Sequence, residues 1–464
     1  MSRYYAGLPV ALLGCLLFAC PPGAHASFDL FSTEKYTASG PFARVGEVCP
    51  KDRIEKPLAL TDVVELALCN NPQTQSLWAS SRAQAAQLGS SLSSYLPTLS
   101  GPISILNSRN LSTTTRVSTR SYSLSISYLL YDFGGREAGV ENAKQLLVAA
   151  NATRDATLQT VYLNAVQAYY TLLSSGASVQ GFLAAEEAAQ KSRDAAEARY
   201  RAGSATPADR LQAQTALSQA ALNRIRAEGD AASARGALAN AMGYEATQPF
   251  ELAPVPESVL DPVAEQGIGE LIEQARRNRP DLLAAEAQIK AAEANLAAVR
   301  AAGLPSLSLS GSVSRSESAM DGLSSTSRQN SVGVSLSVPW FSGYRDTYNR
   351  RVAQAQLEGK VAERDRVANQ IALDVWKAYQ TLRTNGQALR AADDLLASAE
   401  QSEKVASGRY QAGVGNLLDA LNAQSALSSA QQQRVTALYN YQASRFVLAQ
   451  AVGQLDLTLL AGNR

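Results

Sequence analysis

The sequence predicts an α+β membrane protein built as a duplicated unit of helix, strand pair and long helix, and three observations carry that prediction. The stretch Arg199-Tyr200-Arg201-Ala202-Gly203 recurs 210 positions later as Arg409-Tyr410-Gln411-Ala412-Gly413. Tyr169 and Tyr379 keep the same spacing, while Pro72, Pro97 and Phe133 fall on Pro280, Pro305 and Phe341 at a spacing of 208. A unit of this size seen only twice is a duplicated half-molecule rather than a solenoid. Secondly, each copy holds segments in which serine alternates with apolar residues, the period of a strand with one greasy and one polar face. Thirdly, most of the rest has the composition of long helices, yet no stretch after residue 26 offers about 18 consecutive apolar residues, so a membrane could be crossed only by strands.

Residues 1–26 read as an export signal, with Arg3 ahead of an apolar run from Leu8 to Ala19 and Ala24-His25-Ala26 before Ser27. The competing reading takes Leu17-Phe18-Ala19-Cys20 as a lipobox that acylates Cys20, a fit that Phe18 and Pro21-Pro22 make poor. Residues 27–57, with Pro41, Pro50 and Pro57, form an N-terminal arm. Cys49 and Cys69, the cysteines outside the signal, are expected to pair in an oxidising compartment and tie this arm to the first helix; the alternative is two buried thiols.

The first repeat is assigned to 58–243, a proline-rich linker to 244–267, the second repeat to 268–453 and a tail to 454–464. A short helix opens at Thr61, and Pro72 starts a longer one that ends before Pro97. Strands are expected within 98–131 and 306–340, each about nine to eleven residues long, with polar loops at 108–120 and around Asp321. An open four-stranded sheet cannot stand in lipid with its edge groups unpaired, so several chains must pool strands into one closed barrel. Tyr128, Tyr131, Phe133, Trp340, Phe341 and Tyr344 sit where an interfacial belt would anchor its rim. Burial of Trp340 and Phe341 at the sheet-helix junction is the competing reading.

Long helices are expected over 137–174 and 347–383, followed by turns at Ser174-Ser175-Gly176 and Thr384-Asn385-Gly386 and by helices returning to Gly243 and Gly453. Each returning helix should break at the repeated motif. There Gly203 and Gly413 suit a left-handed helix end, and Thr206-Pro207 with Asp209, or Asn416 with Asp419, suit a restart.

The charge balance excludes several functions. With 42 basic and 41 acidic residues, the chain has no electrostatic footprint for nucleic acid. The single histidine, His25, lies in the signal, which removes histidine-dependent catalysis and metal binding from the mature chain. No cofactor, metal or catalytic site is expected.

The whole pattern resembles the TolC family of outer-membrane efflux and secretion channel proteins. The resemblance covers 58–455 and is carried by the two Arg-Tyr-x-Ala-Gly motifs with their downstream Asp-x-Leu-x-Ala-Gln. It is also carried by Asn71-Pro72 and its echo Arg279-Pro280, the Leu-Pro stops at Pro97 and Pro305, and the Phe-x-Gly turns. It implies a homotrimer with one 12-stranded outer-membrane β-barrel, four strands per chain, continued by a long periplasmic α-helical barrel. It implies an equatorial belt at Tyr200, Gly203, Asp209, Tyr410, Gly413 and Asp419. The partners implied are a periplasmic adaptor (membrane fusion) protein, an inner-membrane ABC transporter or a proton-driven pump, and outer-membrane lipid.

Under this resemblance the turns make the periplasmic tip, with Ser175, Gly176, Asn385 and Gly386 as adaptor contacts and Asp393 and Asp394 as an acidic gate ring; the competing reading of the two aspartates is a solvated acidic helix face. The segment Cys69-Asn70-Asn71-Pro72-Gln73-Thr74 looks more like the members that serve type I secretion, including exporters of toxins such as adenylate cyclase toxin. A multidrug or metal efflux channel is the alternative. A periplasmic coiled-coil scaffold without a pore is the reading from a different class, and it requires the serine-alternating segments to be disordered or soluble hairpins.

Overall fold

The computed structural model describes residues 29–37, 57–109, 116–253, 267–320 and 323–455. The expected signal, Cys49, most of the arm, the proline-rich part of the linker and the far end of the tail lie outside these residues. So do the tips of the two strand hairpins, Asp321 included.

The two copies follow one plan. The first runs α1 (Leu60–Asn70), α2 (Pro72–Leu92), β1 (Thr98–Ser100), β2 (Ile103–Arg109), β3 (Arg116–Tyr131), α3 (Gly135–Arg201) and α4 (Pro207–Ala241). The second runs α5 (Ile268–Asn278), α6 (Pro280–Ala301), β4 (Ser306–Met320), β5 (Leu323–Ser337), α7 (Arg345–Gln411) and α8 (Leu417–Val452). Pro72 and Pro280 begin α2 and α6, where a missing N–H costs nothing. At the first of these starts the Asn71 side chain accepts from the Gln73 amide at 2.9 Å.

The long helices differ from expectation. α3 and α7 each run 67 residues without a break, about 100 Å at 1.5 Å per residue. The turns expected at 174–176 and 384–386 are absent, so Ser175, Gly176, Asn385 and Gly386 lie inside helices. A glycine inside a helix costs only about 1 kcal/mol, which the packing of a helix this long exceeds. The serine hydroxyls fold back onto their own helix, Ser175 onto the Leu172 carbonyl at 2.9 Å and Ser178 onto the Ser174 carbonyl at 2.8 Å. Asn385 donates to the Asn440 carbonyl of α8 at 3.2 Å, and a Cβ at Gly386 would lie 3.4 Å from the Tyr441 ring. Gly386 thus lies at a helix-helix contact instead of a chain reversal. The long helices reverse once per copy, at the repeated motif.

β1 and β2 are one strand interrupted at Gly101-Pro102, because both keep a single register with β3. The sheet order is β1/β2, β3, β4, β5, antiparallel throughout. Strands of 15 or 16 residues replace the shorter ones expected. Serine and threonine do not oppose extended backbone, so pairing continues through most of the segments expected to be polar loops.

α3 packs against α2 and α6 on the strand side and against α4 and α8 farther out. Midway along, α1 buries Val63, Val64 and Leu68 on Leu158, Tyr162 and Val166 of α3 and on Leu238 of α4. The second copy repeats this with Leu271 and Ala275 of α5 on Ile371 and Val375 of α7. The described part of the arm, a 3-10 turn at Thr33–Thr37, is clasped by α3. Asn151 donates to the Tyr36 carbonyl at 2.8 Å, and the fully buried Arg154 donates to the Thr37 carbonyl at 2.6 Å, pairs with Asp155 at 2.8 Å and lies 4.3 Å above the Trp78 ring. Cys69, at the end of α1, is disulfide-bonded.

Each returning helix ends against the junction that starts its repeat. Gly243 has φ +81°, and a Cβ there would fall 2.5 Å from the Asn70 carbonyl oxygen and 2.9 Å from the Asn71 nitrogen. Gly453, with φ +78°, meets Asn278 and Arg279 in the same way at 3.0 to 3.1 Å. Gly243→Ala combines left-handed strain of about 1–2 kcal/mol with a backbone clash. It is expected to lower the thermal midpoint of helix unfolding, followed by circular dichroism, by several degrees. An unchanged midpoint would show that the junction accommodates a side chain.

Candidate functional site

Two parts of the fold face the question of passage: the sheet and the far ends of the long helices. In the middle of the sheet, alternation separates the chemistry. Leu99 of β1, Ile126 of β3, Gly311 of β4 and Val332 of β5 stand in one row, with Tyr128, Leu309 and Val334 in the next on the same face. The opposite face carries Ser100, Ser125, Ser312 and Ser331 in one row and Ser104, Ser121, Ser316 and Ser327 in another. Neighbouring hydroxyls bond across strands at 2.8 Å in the pairs Ser100 with Ser125, Ser312 with Ser331 and Ser308 with Ser335. One face suits lipid and the other water.

Beyond the sheet, the chain enters each long helix through left-handed residues, Phe133-Gly134 and Gly343-Tyr344. A bulky residue held there is strained, and it turns its ring outward. Trp340 is 91% and Phe341 76% exposed, which favours the rim belt over burial at the junction.

About 100 Å away, the motif residues meet. Tyr200, Gly203 and Asp209 form the hairpin between α3 and α4, and Tyr410, Gly413 and Asp419 the hairpin between α7 and α8. The motif is therefore the tip, and the equatorial position expected for it is corrected; the belt at mid-height is built by α1 and α5. Gly203 and Gly413 have φ +75° and +78° and close their helices with paired bonds, Ser204 N to Arg199 O at 2.9 Å and Val414 N to Arg409 O at 3.0 Å. α4 then starts with a reciprocal cap. The Asp209 amide donates to Thr206 Oγ1 at 3.2 Å, and the Thr206 amide donates to Asp209 Oδ2 at 2.9 Å. These bonds from Thr206, amide first and hydroxyl second, hold the Asp209 carboxyl below its ordinary pKa. α8 starts with Asn416 Oδ1 accepting from the Asp419 amide at 2.7 Å.

Arg199 links the ends of the two hairpins. Arg199 Nη2 donates to the Tyr410 carbonyl at 2.7 Å and to the Gln411 carbonyl at 3.3 Å, and its guanidinium lies 4.2 Å over the Tyr410 ring. It thereby sits on the negative end of the α7 dipole. Beneath it Ala196, Ala213 and Leu417 are buried together with Tyr410 and Leu421 packed against them. The sequence displayed Arg199 within the motif, but not that it reaches across to the other copy.

Asp393 and Asp394 are not at this tip. Asp393 lies 18 residues before Gln411, about 27 Å along the helix, and pairs with Arg434 of α8 at 2.8 Å. Asp394 is exposed beside it. Their expected place followed from a turn at Gly386, which does not occur.

A sheet with one lipid-compatible and one water-compatible face, prolonged by long helical hairpins, defines an envelope-spanning channel of the outer-membrane type. The family model described as outer membrane efflux protein matches residues 63–244 and 271–454, and the chain belongs to this family. It is an outer-membrane protein whose helices extend into the periplasm, and the members of its family are channels rather than enzymes. It is 29% identical over 420 residues to Protein CyaE of Bordetella pertussis, across 89% of this chain and 88% of the relative. It is 35% identical over 232 residues to Outer membrane protein OprJ of Pseudomonas aeruginosa, across 49% of this chain and 47% of the relative. A solved membrane-protein structure from Pseudomonas aeruginosa matches with a TM-score of 0.75 at 25% identity, covering 88% of this chain and 100% of that one. The serine-alternating segments are paired strands, which removes the basis for a pore-free scaffold.

Two outcomes are expected at the tip. Thr206→Ala removes a cap worth about 1 kcal/mol and should cut amide protection over 209–211 about fivefold in hydrogen exchange. The Asp209 pKa is lowered on folding, so its contribution is fully present above the unfolded carboxylate value and is lost as pH falls through the lower folded value. Protection that stays unchanged in Thr206→Ala would show that the cap does not hold the hairpin. Arg199→Ala should raise the conductance of the reconstituted channel by releasing one hairpin from the other, and Arg199→Lys, which lacks the planar fork, should not restore wild-type conductance. Wild-type conductance in Arg199→Ala would remove the link from the gate.

Proposed function

We propose that the protein is the outer-membrane exit duct of a tripartite exporter, assembled as a homotrimer with twelve strands in one barrel, and that it serves type I protein secretion. The observation that carries the duct is the sheet, left open along β1/β2 and β5 and with its strands exposed on both faces. Backbone groups along such edges must be paired in lipid, and additional copies of the same four strands pair them. The near full-length match to CyaE supports secretion of a polypeptide; the match to OprJ, over half of either chain, keeps drug or metal efflux as the second reading.

The adaptor and the inner-membrane transporter meet the duct at the hairpins around Gly203 and Gly413. This replaces contacts at Ser175, Gly176, Asn385 and Gly386, which lie about 40 Å short of that end at 1.5 Å per residue. The acidic residue at the tip that has no described side-chain partner is Asp419, and threefold symmetry would gather three such carboxylates at the closed end.

The test is cross-linking in cells from cysteines placed at Ser204 and at Val414, which is well exposed. Capture of an adaptor together with an ATP-driven transporter is expected. Capture of a proton-driven pump would replace secretion by efflux, and capture of neither from either hairpin would move the docking surface away from the tip.

A further inference from the structure

The described strands contain six charged residues, Arg109, Arg116, Arg120, Arg315, Glu317 and Arg328. All six lie on the apolar face, and none lies on the serine face. Ile103, Tyr122, Arg315 and Arg328 make one row across the sheet, and Ile105, Arg120, Glu317 and Thr326 make the next. Arg109 stands directly opposite Arg116 two rows farther out. These rows lie at the strand ends remote from the helices, next to the hairpin loops, hence at the exterior rim of the membrane.

This arrangement is the reverse of what water access alone would select. Charges serving a watery pore would sit among the serines, where solvation is free. Here they stand on the surface that meets lipid, and two pairs of like charges, Arg315 with Arg328 and Arg109 with Arg116, occupy directly opposed cross-strand positions, which repel each other. Glu317 answers part of this charge by pairing with Arg315 at 2.5 Å. Arg109, Arg120, Arg315 and Arg328 against that one carboxylate leave an excess of three positive charges among these described residues.

We infer that the band Arg120, Arg315 and Arg328, with Arg109 and Arg116 above it, binds the phosphate groups of a saccharolipid of the outer leaflet. Guanidinium groups match phosphate oxygens bidentately, and a bridging dianion converts each opposed arginine pair from repulsive to attractive. The apolar rows beneath, Leu124 and Val313, then Leu99, Ile126 and Val332, take the acyl chains of the same molecule. The headgroup is thus held by charge directly above its own chains, a position that a free phosphate ion does not require.

The experiment is native mass spectrometry of the full-length protein after exchange into four mixtures: phosphorylated lipid A, its dephosphorylated form, phosphatidylglycerol, and detergent with inorganic phosphate. Wild type should retain phosphorylated lipid A in preference to the other three. The triple variant R120Q/R315Q/R328Q should retain it at least about tenfold less, and R120K/R315K/R328K should fall between the two, since it keeps the charge but loses the bidentate fork. Should the triple glutamine variant fail to assemble, R328Q on the edge strand provides the variant comparison. Equal retention of the dephosphorylated lipid or of phosphatidylglycerol by wild type would overturn the proposal, as would glutamine variants that retain phosphorylated lipid A like wild type.

Discussion

The structure depends on the unpaired backbone of its sheet edges. Each N–H and C=O along β2 and β5 that is not bonded within the chain must find a partner before the sheet can lie in hydrocarbon. The seam between the copies already answers this demand inside one chain. β3 of the first repeat pairs with β4 of the second from Val117 to Tyr131, so the duplication is joined by a ladder of backbone bonds, not merely by the linker. In the assembly proposed above, the outer edges extend the same solution to further copies of the chain. Everything below the sheet inherits this arrangement, because α3 and α6 continue directly from the paired strands and pack together, with Asn142 donating to the Ala291 carbonyl at 2.7 Å.

Much of the fold was legible because it is written in period and in punctuation. The serine alternation marked the strands, and Pro72, Pro97, Pro280 and Pro305 marked helix starts and stops correctly. The repeated glycine motif marked where one helix ends and the next starts, but not that the chain reverses there. What period does not encode is scale. A helix of 67 residues and one of 38 have the same local pattern, and Ser174-Ser175-Gly176 carries the composition of a turn. Whether such a segment turns depends on neighbours distant in sequence, here α4 and α8 lying along α3 well past residue 176. The candidate sites assigned relative to that turn moved with it, whereas the motif residues were correctly grouped and only misplaced along the axis.

Glycine illustrates the distinction. Gly203, Gly413, Gly243 and Gly453 all have positive φ, and each ends a helix. Gly386 remains helical and faces the Tyr441 ring of α8. The residue type is the same in both roles, and only the partner across the interface separates them. Arg154 shows the same limit from the opposite side. Nothing in its local sequence distinguishes it from a solvated helical arginine, yet it is fully buried against Trp78 and the N-terminal segment. Its neighbour Asp155 is pulled in two directions: burial raises its pKa, the larger effect, while Arg154 opposes that rise.

The two hairpins are related by duplication but are not held alike. The first has a reciprocal cap between Thr206 and Asp209 with Pro207 fixing the first helical position, and it anchors the second through Arg199. The second has a cap in one direction only, from Asn416, and threads Gly415 so close to Arg409 and Tyr410 that a Cβ would lie 3.0 Å from both. Arg409, the counterpart of Arg199, has no described bond reaching back to the first hairpin. The link is therefore one-way: a single arginine of the first copy satisfies the last carbonyls of α7 in the second. Breaking that contact frees the end of α7 while the first hairpin keeps its own caps, so the second hairpin is the one whose position the link controls. Symmetry set the duplicated frame, and the departure from symmetry at the tip gives its two hairpins different mechanical parts.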